Sequence, residues 1–345
     1  MATLEGSILT LGDWGKRLDP NGATSDIVEL LGQTNQILDD MTFMEGNLPT
    51  GHRTTVRTGL PAVYWRAVNA GVPTSKSVTA QVDETIGMLE AYSQVDTEIA
   101  KLNGNVSAFR LSEATAFIEA MSQEMASTLF YGNTSTDPEE FNGLSVRYSS
   151  LTTGSGQNVL NGAGSSSGTN NRSSIWLICW GANKVHGIFP KGSMAGLEHE
   201  DLGIETVQET ENQSLDTSGA TATVQGEVIN RFFRAYRDRW SWKCGLSVRD
   251  WRYAARIANI DATNEAVSVV EPMIDSLHLL PNGAVGTSYF YMNRSTFRLL
   301  DRERYKTVSG AGLTYMDIDG KIIPSFRGIP IRIVDALTET EAVVS

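Results

Sequence analysis

The sequence is poor in the residues on which most site chemistry depends. Its two cysteines, Cys179 and Cys244, lie far apart in apolar surroundings with no CxxC spacing. That excludes a disulfide framework and a cysteine-based zinc site, and predicts buried, reduced thiols. The four histidines, at positions 52, 186, 199 and 278, are scattered and flank no nucleophile pattern such as GxSxG. No GxxxxGK-S/T loop is present to cradle phosphates. No apolar run approaches the ~18 residues of a membrane-spanning helix. The opening MATLEGSILTLG lacks the basic and apolar regions of a signal peptide, so a soluble, cytosolic product is expected. Cations are scarce as well: 28 Lys and Arg against 40 Asp and Glu give a net charge of −12 and a pI near 4.9. This weighs against a surface that binds nucleic acid or anionic lipid all over and leaves room only for a local basic face.

What is present is an ordinary globular composition, 41% hydrophobic over 345 residues, enough for one large domain or two to three smaller ones. Residues 1–24 are Gly-rich and read as an extended arm. Ser25 then caps a helix whose Ile27, Leu30, Leu31, Ile37, Leu38 and Met41 share a stripe. NLPTGHRTTVRTGLP (47–61) has one large apolar residue, Val56, between Thr50 and Gly59 and cannot bury itself. With the turn at Asn69-Ala70-Gly71 and the alternating Val78, Ala80, Val82, Ile86 and Met88, it predicts a long hairpin over 50–95. Straight limbs of about 18 residues would reach roughly 60 Å, beyond a compact body about 50 Å across. A ribbon of that kind finds its packing on another chain.

NVSAFRLSEATAFIEAMSQEMASTLFYG (105–132) predicts a helix of about 39 Å, capped by Asn105 or Ser107 and closed by Gly132. Its expected face is Leu111, Ala114, Ile118, Met121, Met125 and Leu129. Residues 149–174 are a Gly/Ser/Asn-rich loop, and IWLICW after it is a buried strand. Residues 231–249 alternate, with Phe232, Tyr236, Trp240, Trp242, Cys244, Leu246 and Val248 on one face and mostly cations on the other; Arg234 and Asp238 break the apolar register. Asp319-Gly320 predicts a tight turn, and Pro330 in GIPIRIVDAL predicts an edge strand or a bulge.

Four motifs bear on chemistry. Gly162–Gly168 lacks the strand and helix that a dinucleotide loop requires. Glu198-His199-Glu200-Asp201 cannot converge on one ion from adjacent positions. Asp317-Ile318-Asp319-Gly320 lacks the glutamate of a calcium loop, since Gly328 stands twelfth. Residues 231–256 carry eight Arg and Lys against Asp238 and Asp250, with aromatics between them. A single-strand nucleic-acid platform would place rings and cations together; here they fall on opposite faces, which favours a structural strand facing an acidic neighbour. Neither a cofactor nor a metal site is expected.

LTLGDWGKRLDP (9–20), NLPTGHRTTVRTGLP (47–61), GLSVRDWRYAARIANID (245–261) and FRGIPIRIVDAL (326–337) together resemble the major capsid proteins of short-tailed bacteriophages. The resemblance implies an α+β chain of the Hong Kong 97-type coat fold: an N-terminal arm, an extended loop hairpin, a peripheral domain with a long spine helix and antiparallel sheet, and an axial domain. Its implied segments are 1–46 (arm and first helix), 47–104 (extended loop), 105–148 (spine helix and following strand) and 149–345 (axial domain with the remaining peripheral strands, 231–261 and 301–345 among them). It also implies pentamers and hexamers of an icosahedral head around double-stranded DNA, built in the host cytoplasm, with portal, scaffolding and decoration proteins as partners and no membrane. DNA would be enclosed without sequence-specific binding, weak repulsion from an acidic lining keeping it from sticking. Candidate subunit-contact residues are His52, Arg53, Arg57, Arg66 and Lys76, the three arginines reaching acidic groups on a neighbour. Lys76 lies near the loop tip without a matching context for an isopeptide cross-link. The alternatives are a nucleic-acid-binding protein acting through 231–256 and an oxidoreductase using the Gly-rich loop.

Overall fold

The computed structural model describes residues 32–102, 105–152, 154–162, 172–209, 231–264, 267–281, 287–306, 313–318 and 321–345. The expected arm, the first half of the expected first helix, residues 153 and 163–171 of the Gly-rich loop and the Asp319-Gly320 turn lie outside the described residues. The described part of that loop is not all loop, since Val159–Asn161 form a strand. Strands in the first half are β1 (Phe43–Glu45), β2 (Gly51–Gly59), β3 (Val78–Thr85), β4 (Gly87–Asp96), β5 (Val159–Asn161), β6 (Ser173–Trp180) and β7 (Val185–Phe189). The second half adds β8 (Leu197–Glu209), β9 (Arg231–Val248), β10 (Ala254–Ile260), β11 (Thr287–Met292), β12 (Leu313–Ile318), β13 (Lys321–Phe326) and β14 (Ile329–Ile333). Helices are α1 (Ile37–Asp40), α2 (Thr97–Lys101), α3 (Val106–Tyr131), α4 (Leu144–Arg147), α5 (Val270–Leu279) and α6 (Arg294–Lys306). The fold is therefore mixed α+β. Of the described residues, one compact unit holds Glu90–Met121 and Leu197–Trp242; the other holds Gln33–Leu89, Ser122–Gly196 and Lys243–Ser345.

In the larger unit the sheet grows around β6, which pairs antiparallel with β10 and β11; β14, β13 and β12 follow beyond β11. Every residue of β6 is buried, as a continuous apolar run between two packed layers requires. Ile175, Leu177 and Cys179 face Met273 of α5 and Leu299 and Leu300 of α6. On the opposite parity Trp176 meets Phe130 and Tyr148 at ring distances of 6.2 and 5.8 Å, and Trp180 donates to the Tyr291 hydroxyl at 2.8 Å. Cys179 and Cys244 are buried free thiols, and burial pushes the Cys244 thiol up to about 12. β14 is not an edge strand: it pairs with β13 and β11, but the β11 ladder begins at Ile331. Pro330 thus sits where no donor is asked of it on that side.

α3 begins where expected, with Asn105 Oδ1 accepting from the Ala108 N–H at 3.1 Å. Its C-terminal half buries Met121, Met125 and Leu129 as anticipated, joined by Ala126 and Phe130. The N-terminal half departs from the expected face. Leu111 and Ile118 are exposed, while Phe109 is buried and Phe117 stacks on Trp240 at 5.1 Å in the smaller unit.

Two buried ion pairs tie the terminal segments of the larger unit to its sheet. Arg256 donates to Glu341 Oε2 (2.9 Å), Ser174 Oγ (3.0 Å) and the Tyr148 carbonyl (2.9 Å), while Tyr131 donates to Glu341 Oε1 (2.6 Å). Asp40 of α1 receives both the Nε and a terminal nitrogen of Arg332 at 3.0 Å. Removing one member of a buried pair strands the other. Glu341→Ala is expected to cost about 3–5 kcal/mol, read as a lowered unfolding midpoint in urea, and the Arg256→Met/Glu341→Leu double variant is expected to recover most of it.

Candidate functional site

β2 and β3 form a two-stranded sheet of their own. The register runs from Gly51↔Thr85 through His52↔Glu84, Arg53↔Asp83 and Thr54↔Val82 to Val56↔Ala80, and slips after Arg57 to pair Gly59 with Val78. The ladder is shorter than the sequence suggests: nine residues of β2 span roughly 30 Å, half the expected reach. Pro61 stands just past it in the first limb, and Pro73 lies farther out in the second; neither can donate. The second limb also breaks at Ile86, after which β4 leaves the ribbon and runs beside β9.

Root and tip differ in chemistry. At the root, Glu84 is buried and accepts from both terminal nitrogens of Arg147 at 2.7 and 2.6 Å; Arg147 also reaches the Leu246 carbonyl at 3.1 Å. Asn47 acts as an extra strand residue, donating to the Arg53 carbonyl and accepting from its N–H, both at 2.7 Å. Gly51 is required here, because a Cβ would stand 2.2 Å from the Glu84 carbonyl oxygen. The ribbon's apolar parity, Val78 and Val82, is open. Residues 60–77 carry Leu60 (82% exposed), Val63 (88%), Trp65 (103%) and Val68 (91%), with Tyr64 also exposed.

The sequence-derived contact candidates separate on this scaffold. Arg53 is taken by Asp83 in its own hairpin, at 2.6 and 2.7 Å, and that hydrogen-bonded pairing holds the Asp83 carboxyl below its usual range. Arg66 donates to the Ala70 carbonyl at 2.8 Å and so braces the turn, where Asn69 has φ 66°. Lys76 is exposed at the tip. His52 packs edge-on against His186 at 5.9 Å. Arg57 is exposed, has no ion-pair partner among the described residues, and lines a groove of ≈ 680 Å³ between β2 and residues 249–252. The apolar tip residues and Glu84 were not among the candidates. Their signals were AVYWRAV set between two prolines and a carboxylate continuing the parity of Val78, Ala80 and Val82.

Four of the eight cations of the basic stretch 231–256 are held by carboxylates within their own units. Arg237 donates to Glu205 at 2.7 Å, and Arg239 pairs with Glu90 and Glu200. Arg252 pairs with Asp250 at 2.7 Å, and Arg256 is consumed by Glu341. Trp240 and Trp242 are buried and offer no stacking face. Asp238, the register breaker, accepts from Arg110 at 3.2 and 2.7 Å and lies 3.0 Å from His199 Nε2. The Glu198–Asp201 cluster thereby disperses: Asp201 also binds Arg110, and Glu200 binds Arg239. The nucleic-acid alternative finds no support in this arrangement.

A long helix, a layered sheet carrying the chain's core and a separately paired ribbon with an apolar tip define a subunit of the Hong Kong 97-type phage coat fold. The chain belongs to the family described as Major capsid protein GP7, whose profile matches residues 19–345. Among solved structures, a chain of the bacteriophage Epsilon15 cryo-EM structure is 30% identical with a TM-score of 0.74, over 100% of this chain and 99% of that one. A chain of the native GTA particle capsid is 9% identical at TM-score 0.43, over 74% of this chain and 99% of that one. The bacteriophage JBD30 capsid is 8% identical at 0.42, over 79% and 84%. Among curated proteins nothing matches the chain. The family's role is that of a structural shell component of the virion.

Two substitutions test the clamps. Arg147→Ala leaves the Glu84 carboxylate buried and unpaired; a loss of about 3 kcal/mol is expected, seen as faster amide exchange in 51–59 and 78–85 with β6 unaffected. Asp238→Ala is expected to cost a similar amount, about 3 kcal/mol, measured by urea unfolding followed through tryptophan fluorescence.

Proposed function

We propose that this chain builds an icosahedral head from hexamers and pentamers of itself, and that the β2–β3 hairpin is the arm by which each copy holds its neighbour. In this reading residues 47–104 are the extended loop and 105–148 carry the spine helix. Residues 149–345 supply the axial domain and the remaining peripheral strands. Assembly takes place in the host cytoplasm around double-stranded DNA, with portal, scaffolding and decoration proteins as further partners. The carrying observation is the exposed apolar tip on a two-stranded ribbon: a lone ribbon is marginal in water, and a contiguous apolar patch marks an interaction surface.

Magnitudes favour a closed ring over a simple dimer. Burying Leu60, Val63, Trp65 and Val68 contributes on the order of 6–12 kcal/mol, while association costs about 4–15 kcal/mol in lost freedom. One tip is therefore marginal, and many tips closing a ring become cooperative. Arg57, exposed beside the groove, is the cation of the hairpin best placed for an acidic group on the neighbour. Trp65→Ser with Val63→Ser is expected to leave subunit stability within about 0.5 kcal/mol while abolishing shells in light scattering and electron microscopy. Normal shells from that variant would remove the hairpin from its assigned role.

A further inference from the structure

His186 of β7 is fully buried, and neither ring nitrogen has a well-formed hydrogen-bond partner. Across the β7–β9 ladder it faces Ser247, whose hydroxyl is buried and equally unpartnered. From the hairpin, His52 of β2 presses its ring edge-on against it, 5.9 Å between centroids. The spot is the root of the ribbon: Asn47 donates to His52 Nδ1 at 3.3 Å, and Glu84, opposite His52 in register, is locked by Arg147. Both imidazoles are thus packed where β2 leaves the body of the larger unit, in surroundings that suit them only while neutral.

We propose that the His52–His186 contact is a proton-sensitive latch, and that mild acid loosens the hairpin root from β7. This deepens the assembly reading and rests on it for its consequence: acid would alter how firmly the arm is aimed. The charged groups around the latch do not rescue a charged ring. Arg249, just past β9, repels both rings and donates to the neutral Ala182 carbonyl and Asn183 Oδ1. On β3, Glu84 favours a charged His52 but is already held by Arg147. Beside β7, Glu45 of β1 accepts from the Gly192 N–H, Lys184 points at Cys179 and the Tyr253 ring, and Asp250 is paired to Arg252. β6 brings no charge to its single β7 pairing, Trp180↔Val185. Burial, then His52 and Arg249, push His186 down to about 4 against an ordinary 6.5, the Gly181 backbone opposing weakly; His52 is lowered for the same leading reason.

The sign follows from linkage. An opened root takes up its proton near pH 6.5, the closed root only near pH 4, so opening becomes steadily easier as pH falls between them. At pH 5 the opening ratio is expected to rise about 30-fold over pH 7.5. The test is hydrogen–deuterium exchange on the unassembled full chain at pH 7.5 and 5.0, normalised for intrinsic rates, reading peptides over 47–59 and 78–86. Wild type is expected to lose protection there by about 30-fold, and His186→Leu and His52→Gln each to keep only part of that loss. Equal root protection at both pH values in wild type, or the same loss in His186→Leu, overturns the latch. Should His186→Leu fail to fold by near-UV circular dichroism, the titration midpoint of His186 by histidine C2-hydrogen exchange decides. A native midpoint well below 6.5 supports the latch, and one at or above it overturns it. The two ideas fail separately: normal shells from the tip variants at pH 7.5 would remove the assembly role, yet leave acid opening of the root measurable.

Discussion

A two-stranded ribbon with no second sheet beneath it constrains the rest of this molecule. Its inner parity closes only at the root, where Thr54 and Glu84 are buried, and opens toward Val82 and Val78. The Arg147–Glu84 pair therefore carries more than its own hydrogen bonds. By also bonding the Leu246 carbonyl, Arg147 connects α4, the ribbon and β9, so the direction in which the ribbon leaves is set by one guanidinium. A lysine offers one compact charge and no planar fork, and would not hold three directions at once.

The same device recurs. Arg332 grips Asp40 and fixes the entry of α1; Arg256 grips Glu341 and fixes the exit of the chain; Arg110 grips Asp238 and, in the smaller unit, fixes α3 on the β8–β9 ribbon. Buried pairs of this kind add little net stability over a well-packed apolar substitute. What they add here is register. β8 pairs with β9 over a long antiparallel ladder that slips once, between Asp201 and Gly203, and such ladders are prone to sliding when one face is open. Asp238 lies opposite Asp201, at the slip itself, and Arg110 binds both carboxylates there. A ladder shifted by one residue would put an aspartate into an apolar contact and leave Arg110 unpaired.

These pairs also explain what could and could not be read from the amino acids alone. α3 and β9 were legible because each is long, with Asn105 and Gly132 bounding α3, and β6 because IWLICW is a short unbroken apolar run. The buried face of the first half of α3 was not, since Phe109 and Phe117 answer to Tyr236 and Trp240, residues more than a hundred positions away. Periodicity reports that a side of a helix is apolar, but not whether a partner in the same chain covers it; Leu111 and Ile118 obey the period and remain exposed. The hairpin was legible as a hairpin, while its length was not: the ladder ends at Gly59↔Val78, with Pro61 just beyond it. Arg53 was read as reaching outward because a cation on a strand looks free until the register places Asp83 opposite it.

The prolines also bear on how so apolar a tip stays soluble. An exposed edge rich in Val and Trp invites indiscriminate strand pairing. Past Gly59 this chain withholds the means: two prolines remove donors, Arg66 and Ser75 turn inward to the Ala70 and Ala62 carbonyls, and no ladder joins the limbs among the described residues. What remains exposed is side-chain surface on limbs that are not held as a flat, paired strand edge. Such surface gains free energy from a shaped apolar partner and little from another flat edge. The tip is thereby selective for the kind of groove a folded neighbour offers, and the ribbon's open apolar parity, Val78 and Val82, extends the same surface down toward the root.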